Sequence, residues 1–415
     1  MTSEMLKASL DEFAIFGGAP AFAEQLHVGR PNIGDRARLL GLFNQILDTK
    51  RLSNMGPLER EFEQRVAELL GVKHCIAMCN ATIALEIAIR ALGLAGEVIV
   101  PSFTFIATAH ALQWQQITPV FCDVDPETHC LDPRAVEKMI TPRTTGILPV
   151  HLWGRGCDID ALTEIAGRHH LKLLFDAAHA FGCSYGGRMI GGFGDAEVFS
   201  FHATKFFNTF EGGAVTTNDD ELAEKIRLMK NFGFAGYDQV IYIGTNGKMS
   251  EISAAMGLTS LESLDDFVEI NHRNYRQYRT ELAELAGVRL LRFDEHEKCN
   301  YQYIVVEIDE TKAGITRDEL VHVLHAENII ARRYFYPGCH RMEPYRTSYP
   351  DASRALPLTE LLADRVMTLP TGTAVGETEI SGIGRIIRKV IARGSEVHER
   401  LVAEGLNLPL TAREY

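Results

Sequence analysis

The lysine of "SFHATKFFNTFEGGAV", Lys205, stands between a short apolar run and a glycine pair. Upstream, Asp176 closes the strongly apolar run "LLFD". Taken singly, such residues are more often ordinary ion-pair members or helix caps. Side chains at the carboxyl ends of parallel strands line the ligand crevice of open α/β sheets, so an amine and an acid placed at two such ends can share one site. A helix start at Asn80-Ala81-Thr82, the small residues Ala177 and Ala178 and the Ser200 hydroxyl add an anion cradle. Together these groups meet the needs of pyridoxal phosphate: a sink for a dianion, a carboxylate for the ring nitrogen and a lysine for the aldehyde.

The elements that must position these residues follow from patterning. From residue 74 the chain alternates helical stretches with the β-rich runs "HCIAMC", "EVIVP", "TPVFCDVD", "TTGILPVHL", "LKLLFDAAHA", "EVFSFHATK" and "GGAVTTN". Several are almost continuously apolar, as strands covered on both faces of a mainly parallel sheet must be, so the fold class is α/β. In this reading Asp176 and Lys205 each end a strand. The segment "NATIALEIAIRALGL" carries charge only at Glu86 and Arg90, which share one face of a deeply packed helix capped by Asn80 and stopped by Gly93. Such a helix, starting at the carboxyl end of a strand, presents free N–H groups to an anion. Beyond about residue 250 a long helical region leads to "VRLLRF", "YQYIVVEI" and "IIARRYF", a smaller α+β domain whose last helix lies near "ETEISGIGRIIRKVIARG". The expected organisation is an N-terminal arm (1–30), a large α/β domain (31–260) and a small C-terminal domain (261–415).

Composition sets outer bounds. A formal charge of −13 without a dense Lys/Arg run argues against nucleic-acid binding. The first residues, Met1 to Ala14, lack both a signal-peptide core and a membrane-spanning length, which reads as a cytoplasmic chain without membrane attachment. Eight scattered cysteines form no C-x-x-C pair, and no His/Cys/carboxylate set has ligand spacing, so no metal site is expected.

"FDAAHAFG", "SFHATKFFNTFEGGAV" and "GTNGKMSEISAAMG" closely resemble the DegT/DnrJ/EryC1/StrS family of pyridoxal-phosphate sugar aminotransferases. The resemblance runs from about "FGGAPAF" into the C-terminal domain. It implies the fold-type I aminotransferase architecture, with a mainly parallel seven-stranded sheet, and a homodimer sharing its active sites. It assigns Lys205 the internal aldimine and the proton transfers, and Asp176 the protonated pyridine nitrogen. A nearby negative charge favours the cationic ring, and a cationic ring stabilises the carbanion formed when the proton leaves. By the same resemblance Phe105 stacks on the ring, Ala81, Thr82 and Ser200 hold the phosphate, and Asn231 reaches it from the neighbouring subunit. The family usually has Gly-Thr or Gly-Ser where this chain has Asn80-Ala81, which places the weight there on backbone contacts. His179 falls where the family puts a His or Gln near the cofactor's phenolic oxygen. His202 lies on the approach to the lysine. Some relatives carry His in place of that lysine and are dehydratases; the lysine here favours amination.

A nucleotide-linked sugar brings a diphosphate to an acidic chain, so cations should gather in the cleft. Lys248 and Asn246 lie in "GTNGKMSE", which resembles a family loop at the active site; Arg30, Tyr336 and His340 rank below them, as do Arg332 and Arg333. His151 and Trp153 of "VHLWG" match a strand end beneath the cofactor and fit core positions equally well. The N-terminal "FGGAPAF" and "GTNGKMSEI" look more like the subgroup that aminates C4 of dTDP-4-keto-6-deoxyglucose than the 3-keto-sugar subgroup, with L-glutamate as donor. A keto-cyclitol aminotransferase of the scyllo-inosose type, a dehydratase and a non-catalytic sensor are the alternatives. The last predicts an added domain or loss of the lysine or aspartate, and neither is seen.

Overall fold

The apolar runs assemble into one sheet whose strands alternate side chains between two covered faces. A computed structural model, which describes residue 7 and residues 9–406, gives β1 (His74–Met78), β2 (Glu97–Pro101), β3 (Thr118–Cys122), β4 (Thr144–Ile147), β5 (Lys172–Asp176), β6 (Ala196–Ser200) and β7 (Gly213–Thr217). Their order across the sheet is β1-β7-β6-β5-β4-β2-β3. β7 runs antiparallel to its neighbours β1 and β6, and the remaining pairs are parallel. Every residue of β2 and β7 is buried, as expected of strands covered on both faces.

Period-2 alternation sorts the strands' side chains. Cys75, Ala77, Ile99, Phe175, Phe199 and Ala214 face one core together with helices α1 (Arg36–Thr49), α2 (Pro57–Leu70) and, later in the chain, Glu251–Glu262. Ile76, Met78, Val98, Val100, Leu174, Val198 and Val215 face the other, under α3 (Ala81–Ala91), α4 (Ile106–Gln113) and α5 (Asp220–Met229). The Glu251–Glu262 helix is α6, followed directly by α7 (Leu264–Glu281), which enters the small domain.

That domain has its own core around an antiparallel sheet of β8 (Val288–Leu290), β9 (Ile304–Ile308) and β10 (Val366–Leu369). Here the architecture departs from the sequence-based expectation. The third strand is β10, not "IIARRYF": Ile329–Ile330 pairs in parallel with Leu26–His27, and Arg332 keeps only a single bridge to Thr368. The arm is therefore part of the small domain's packing, with Phe13 buried at 2% exposure in the same core. Cys339, Tyr345 and Leu356 turn back to the large domain, where they join the face beneath α3 and α4. A helix at Gly394–Ala403 follows Glu377–Ala392, so the latter is not the last. Among the described residues no helix is long and apolar enough to cross a membrane.

Lys205 also differs from expectation. β6 ends at Ser200, opposite Gly213, and the lysine sits five residues later in a turn closed by Lys205 N–H donating to His202 O at 2.9 Å. Antiparallel pairing with β7 runs out at Gly213, which frees the chain to turn away. His202 is consequently exposed in that turn, with Nδ1 2.9 Å from Thr204 Oγ1.

Candidate active site

The anion cradle is built where β1 feeds α3. Asn80 is extended at the N-cap, and its Oδ1 accepts the Ile83 N–H at 2.9 Å. The N–H groups of Ala81 and Thr82, in the first turn, have no intrahelical acceptor and carry the positive end of the helix dipole. β7 passes against this turn through Gly213: a Cβ there would lie 2.7 Å from Ala81 N and 2.8 Å from both Asn80 C and Phe199 O. Ser200 is the pairing partner of Gly213, so its backbone stands beside the same helix start.

Asp176 ends β5 at 5% exposure. Its Oδ1 accepts the Ala178 N–H at 3.0 Å and its Oδ2 the Thr108 hydroxyl, from α4, at 2.9 Å. Burial raises its pKa, opposed by those two donors and by the charge of Lys205. Burial of the amine likewise pulls the Lys205 pKa down to about 8, with the Asp176 charge pushing the other way. Lys205 keeps some accessible surface, yet its nitrogen is desolvated by the walls around it. Amine and acid are therefore near enough for the charge of each to act on the other. Lys205 Nζ donates to Tyr303 Oη at 3.3 Å, and Tyr303 Oη also lies 3.2 Å from His179 Nε2. His179 is buried, stacks near Trp153 and Phe335 (ring centroids 5.9 and 6.0 Å), and has its pKa lowered by burial and by Lys205.

Phe105 caps α4 at the end of the segment after β2 and is 60% exposed. A phenyl ring left open beside a crevice, rather than in the core, is free to cover a planar ligand. The residues present fit pyridoxal phosphate: free helix amides against a backbone cleared of side chains at Gly213, an acid held by two donors, a desolvated amine and an open aromatic.

The substrate-side candidates fall into three places. Arg30 is exposed, follows Gly29 (φ +75°), and lies in an arm that approaches the lysine's turn so closely that a Cβ on Gly29 would meet Thr204 O at 2.9 Å. Asn32 and Asn208 tie the two segments together, Asn32 Nδ2 donating to Phe206 O and Asn208 Nδ2 to Asn32 O, both at 2.8 Å. Arg30 and Arg332 both lower the pKa of His27, after burial, and so bring positive charge to one spot. Asn231, Asn246 and Lys248 form a second group: Asn231 bridges Asn246, Lys248 bridges Met78, and Cys79 N–H donates to Gly247 O at 2.8 Å, which sets the loop beside the start of α3. Lys248 Nζ lies 4.6 Å from the centre of the Phe232 ring. Lys230 anchors this turn from beneath, fully buried, with Nζ 2.8 Å from Glu59 and 3.0 Å from Glu63.

Tyr336 and His340 are placed otherwise. The guanidinium groups of Arg317 and Arg333 lie over the Tyr336 ring, 5.3 and 4.3 Å from its centre. His340 is buried, with Nδ1 2.7 Å from Ser102 Oγ and Nε2 3.2 Å from Glu360 Oε1, so both ring nitrogens are engaged within the chain. Sequence reasoning missed Tyr303, Thr108 and Phe335. Tyr303 lies outside every local motif, and no spacing signal marks it.

Comparisons with known proteins show the family. The model of the DegT/DnrJ/EryC1/StrS aminotransferase family matches residues 35–388. The chain is 38% identical over 320 residues to a dTDP-4-amino-4,6-dideoxy-D-glucose transaminase of Shigella dysenteriae, covering 77% of this chain and 87% of that protein. With the Escherichia coli protein of the same description it shares 34% identity over 363 residues, 87% of this chain and 97% of the relative. The solved structure of DesI, determined in the presence of its TDP-sugar product, superimposes with a TM-score of 0.91 at 52% identity, covering 94% of this chain and 99% of that one. The lysine crevice, the sheet that carries it and these matches have one reading: the chain belongs to the DegT/DnrJ/EryC1/StrS aminotransferase family and is a sugar aminotransferase.

Proposed function

We propose that the protein, with pyridoxal 5′-phosphate bound, transfers the amino group of L-glutamate to C4 of dTDP-4-keto-6-deoxyglucose in the biosynthesis of a deoxyaminosugar. The reading is supported by Lys205 and Asp176 lying near enough to act on each other's charge, and by Asp176 ending one strand and the start of α3 following another strand of the same sheet. The choice of C4 is supported by the relatives whose names specify a 4-amino-4,6-dideoxy sugar, and by the likeness to DesI with its TDP-sugar product.

When bound, the cofactor supplies an electron sink for the carbanion left after proton removal. The residues of the chain do the rest. The amides of Ala81 and Thr82, with the Ser200 hydroxyl, hold the phosphate at the helix start. Asp176, whose carboxylate oxygens accept from Thr108 and the Ala178 amide, would hold a proton on the ring nitrogen. With the cofactor bound, Phe105 would cover its ring and His179 would contribute to its surroundings. The Lys205 amine takes the proton from the donor's α carbon and returns it on the acceptor half of the cycle. Arg30 from the arm, and Asn246 and Lys248 from the corresponding loop of a second copy, would bind the nucleotide diphosphate.

The protein is read as a homodimer. Phe232, Phe234, Tyr237 and Ile243 stand exposed along one hairpin, Tyr237 fully so. A second copy would cover this run of apolar side chains and carry Asn231 towards the partner's phosphate. Incubation with dTDP-4-keto-6-deoxyglucose and nitrogen-labelled glutamate, followed by mass analysis, tests the function. Label in a 4-amino sugar is expected; a product without nitrogen, or transfer only to a 3-keto sugar or keto-cyclitol, would overturn the assignment.

A further inference from the structure

A phenol reaches the active-site amine from the other domain. Tyr303, immediately before β9, is 7% exposed, and Lys205 Nζ donates to its hydroxyl at 3.3 Å. The ring is fixed edge-on to Trp153, centroids 5.4 Å apart, and against His179 at 4.6 Å. Its backbone is tied to the same histidine, because Asn300 Nδ2 and Gln302 Nε2 both donate to His179 O, at 2.8 and 3.0 Å. The Trp153 N–H points at His179 Nδ1 over 3.4 Å, which assigns the ring proton to Nε2, aimed at Tyr303 Oη 3.2 Å away. One lone pair of the phenol is thereby occupied. The other, and the O–H itself, remain for Lys205.

We propose that Tyr303 is a positioning residue for Lys205, a neutral hydroxyl that accepts from the amine when it is protonated and donates to it when it is not. The inference rests on the aminotransferase reading, in which one nitrogen must first take and then return a proton without losing its aim. A carboxylate in this place would favour the ammonium and retain the proton, and an apolar side chain would leave the amine unanchored. A hydroxyl serves both states at no change in charge. Burial pushes the phenol's pKa well up, so it stays neutral, and holds the amine at about 8, so both its forms occur close to neutral pH. The titratable and charged groups facing the pair are Asp176 and His179 beside the amine, and Tyr334 and Arg332 beside the phenol.

Tyr303→Phe keeps the ring and deletes the hydroxyl. In the holoenzyme kcat should fall roughly three- to tenfold, the loss of one buried hydrogen bond, with KM for glutamate and nucleotide sugar unchanged. The acid limb of the kcat profile should move to lower pH, because the charged ammonium loses a stronger hydrogen bond with the hydroxyl than the neutral amine does. Alkylation of Lys205 in cofactor-free protein, followed by mass spectrometry as pH is varied, should show the same displacement. Should the Phe variant fail to fold, 3-fluorotyrosine at position 303 keeps the shape and weakens the acceptor, and must move both profiles in the same direction. Wild-type kcat and an unmoved pH limb in either replacement overturn the assignment. Wild-type protein that transfers no nitrogen sinks the aminotransferase reading instead, so the two failures are distinct.

Discussion

Lys205 and Asp176 act on each other through their charges: the carboxylate favours the ammonium, the ammonium favours the carboxylate, and burial opposes both. Each has its own anchor. The acid is fixed by Thr108 and the Ala178 amide, the amine by Tyr303. Neither is spent neutralising the other, which leaves both available to a ligand that needs an acid at one end and an amine at the other.

Replacing Asp176 by Asn removes the charge while keeping an oxygen to accept from Thr108 or Ala178. The expected loss is about 10²-fold or more in kcat, the scale for deleting one preorganised electrostatic contact, with thermal stability nearly retained. Steady-state kinetics alongside a melting curve checks it; an active Asn variant would remove the acid from the mechanism.

The desolvated amine carries a stability signature. The native pKa of Lys205 is about 8 against the ordinary 10.5, so between those values the unfolded chain binds more protons than the native one. Native stability therefore gains from this group as pH rises through that window, and is penalised below it. Cofactor-free Lys205→Met protein should melt higher than wild type at pH 7, and the gap should narrow from pH 8 to 10.5. A gap independent of pH would contradict a desolvated amine. The same variant should not turn over.

Gly213→Ala probes the phosphate cradle. The added methyl would press on Ala81 N, Asn80 C and Phe199 O, none of them the end of a flexible side chain. The start of α3 must shift, and retention of pyridoxal phosphate should weaken by tenfold or more, about 1.4 kcal/mol. Equilibrium dialysis measures this. Unchanged cofactor affinity would place the phosphate elsewhere.

Lys230→Met would leave Glu59 and Glu63 facing each other in the core, with Arg227 alone to offset Glu63 at 2.7 Å. Breaking a buried pair from one side costs about 3–5 kcal/mol, to be read from denaturant unfolding. The adjoining Asn231 turn should loosen as well, with poorer use of the nucleotide sugar.

Much of the site was legible because it is local. The apolar runs, Asn80 as cap, Asp176 at a strand end and Lys205 before the glycine pair each declare themselves within a few residues, through strand periodicity, capping chemistry and sheet-end geometry. His340 shows the limit: a polar residue in a Pro/Gly-rich loop reads as a ligand contact, yet Ser102 and Glu360 bury and satisfy it.

The sequence by itself therefore determined the α/β class and the order of the strands along the chain, and it offered the acid, the amine and the helix start as candidates. Tertiary structure alone decided what surrounds them: the phenol of Tyr303, 98 residues from Lys205, the Thr108 hydroxyl, the arm laid into the small domain and the buried Lys230. Periodicity reports which face of an element is buried, but which distant side chain meets that face depends on how whole elements pack, and no short stretch of chain encodes it.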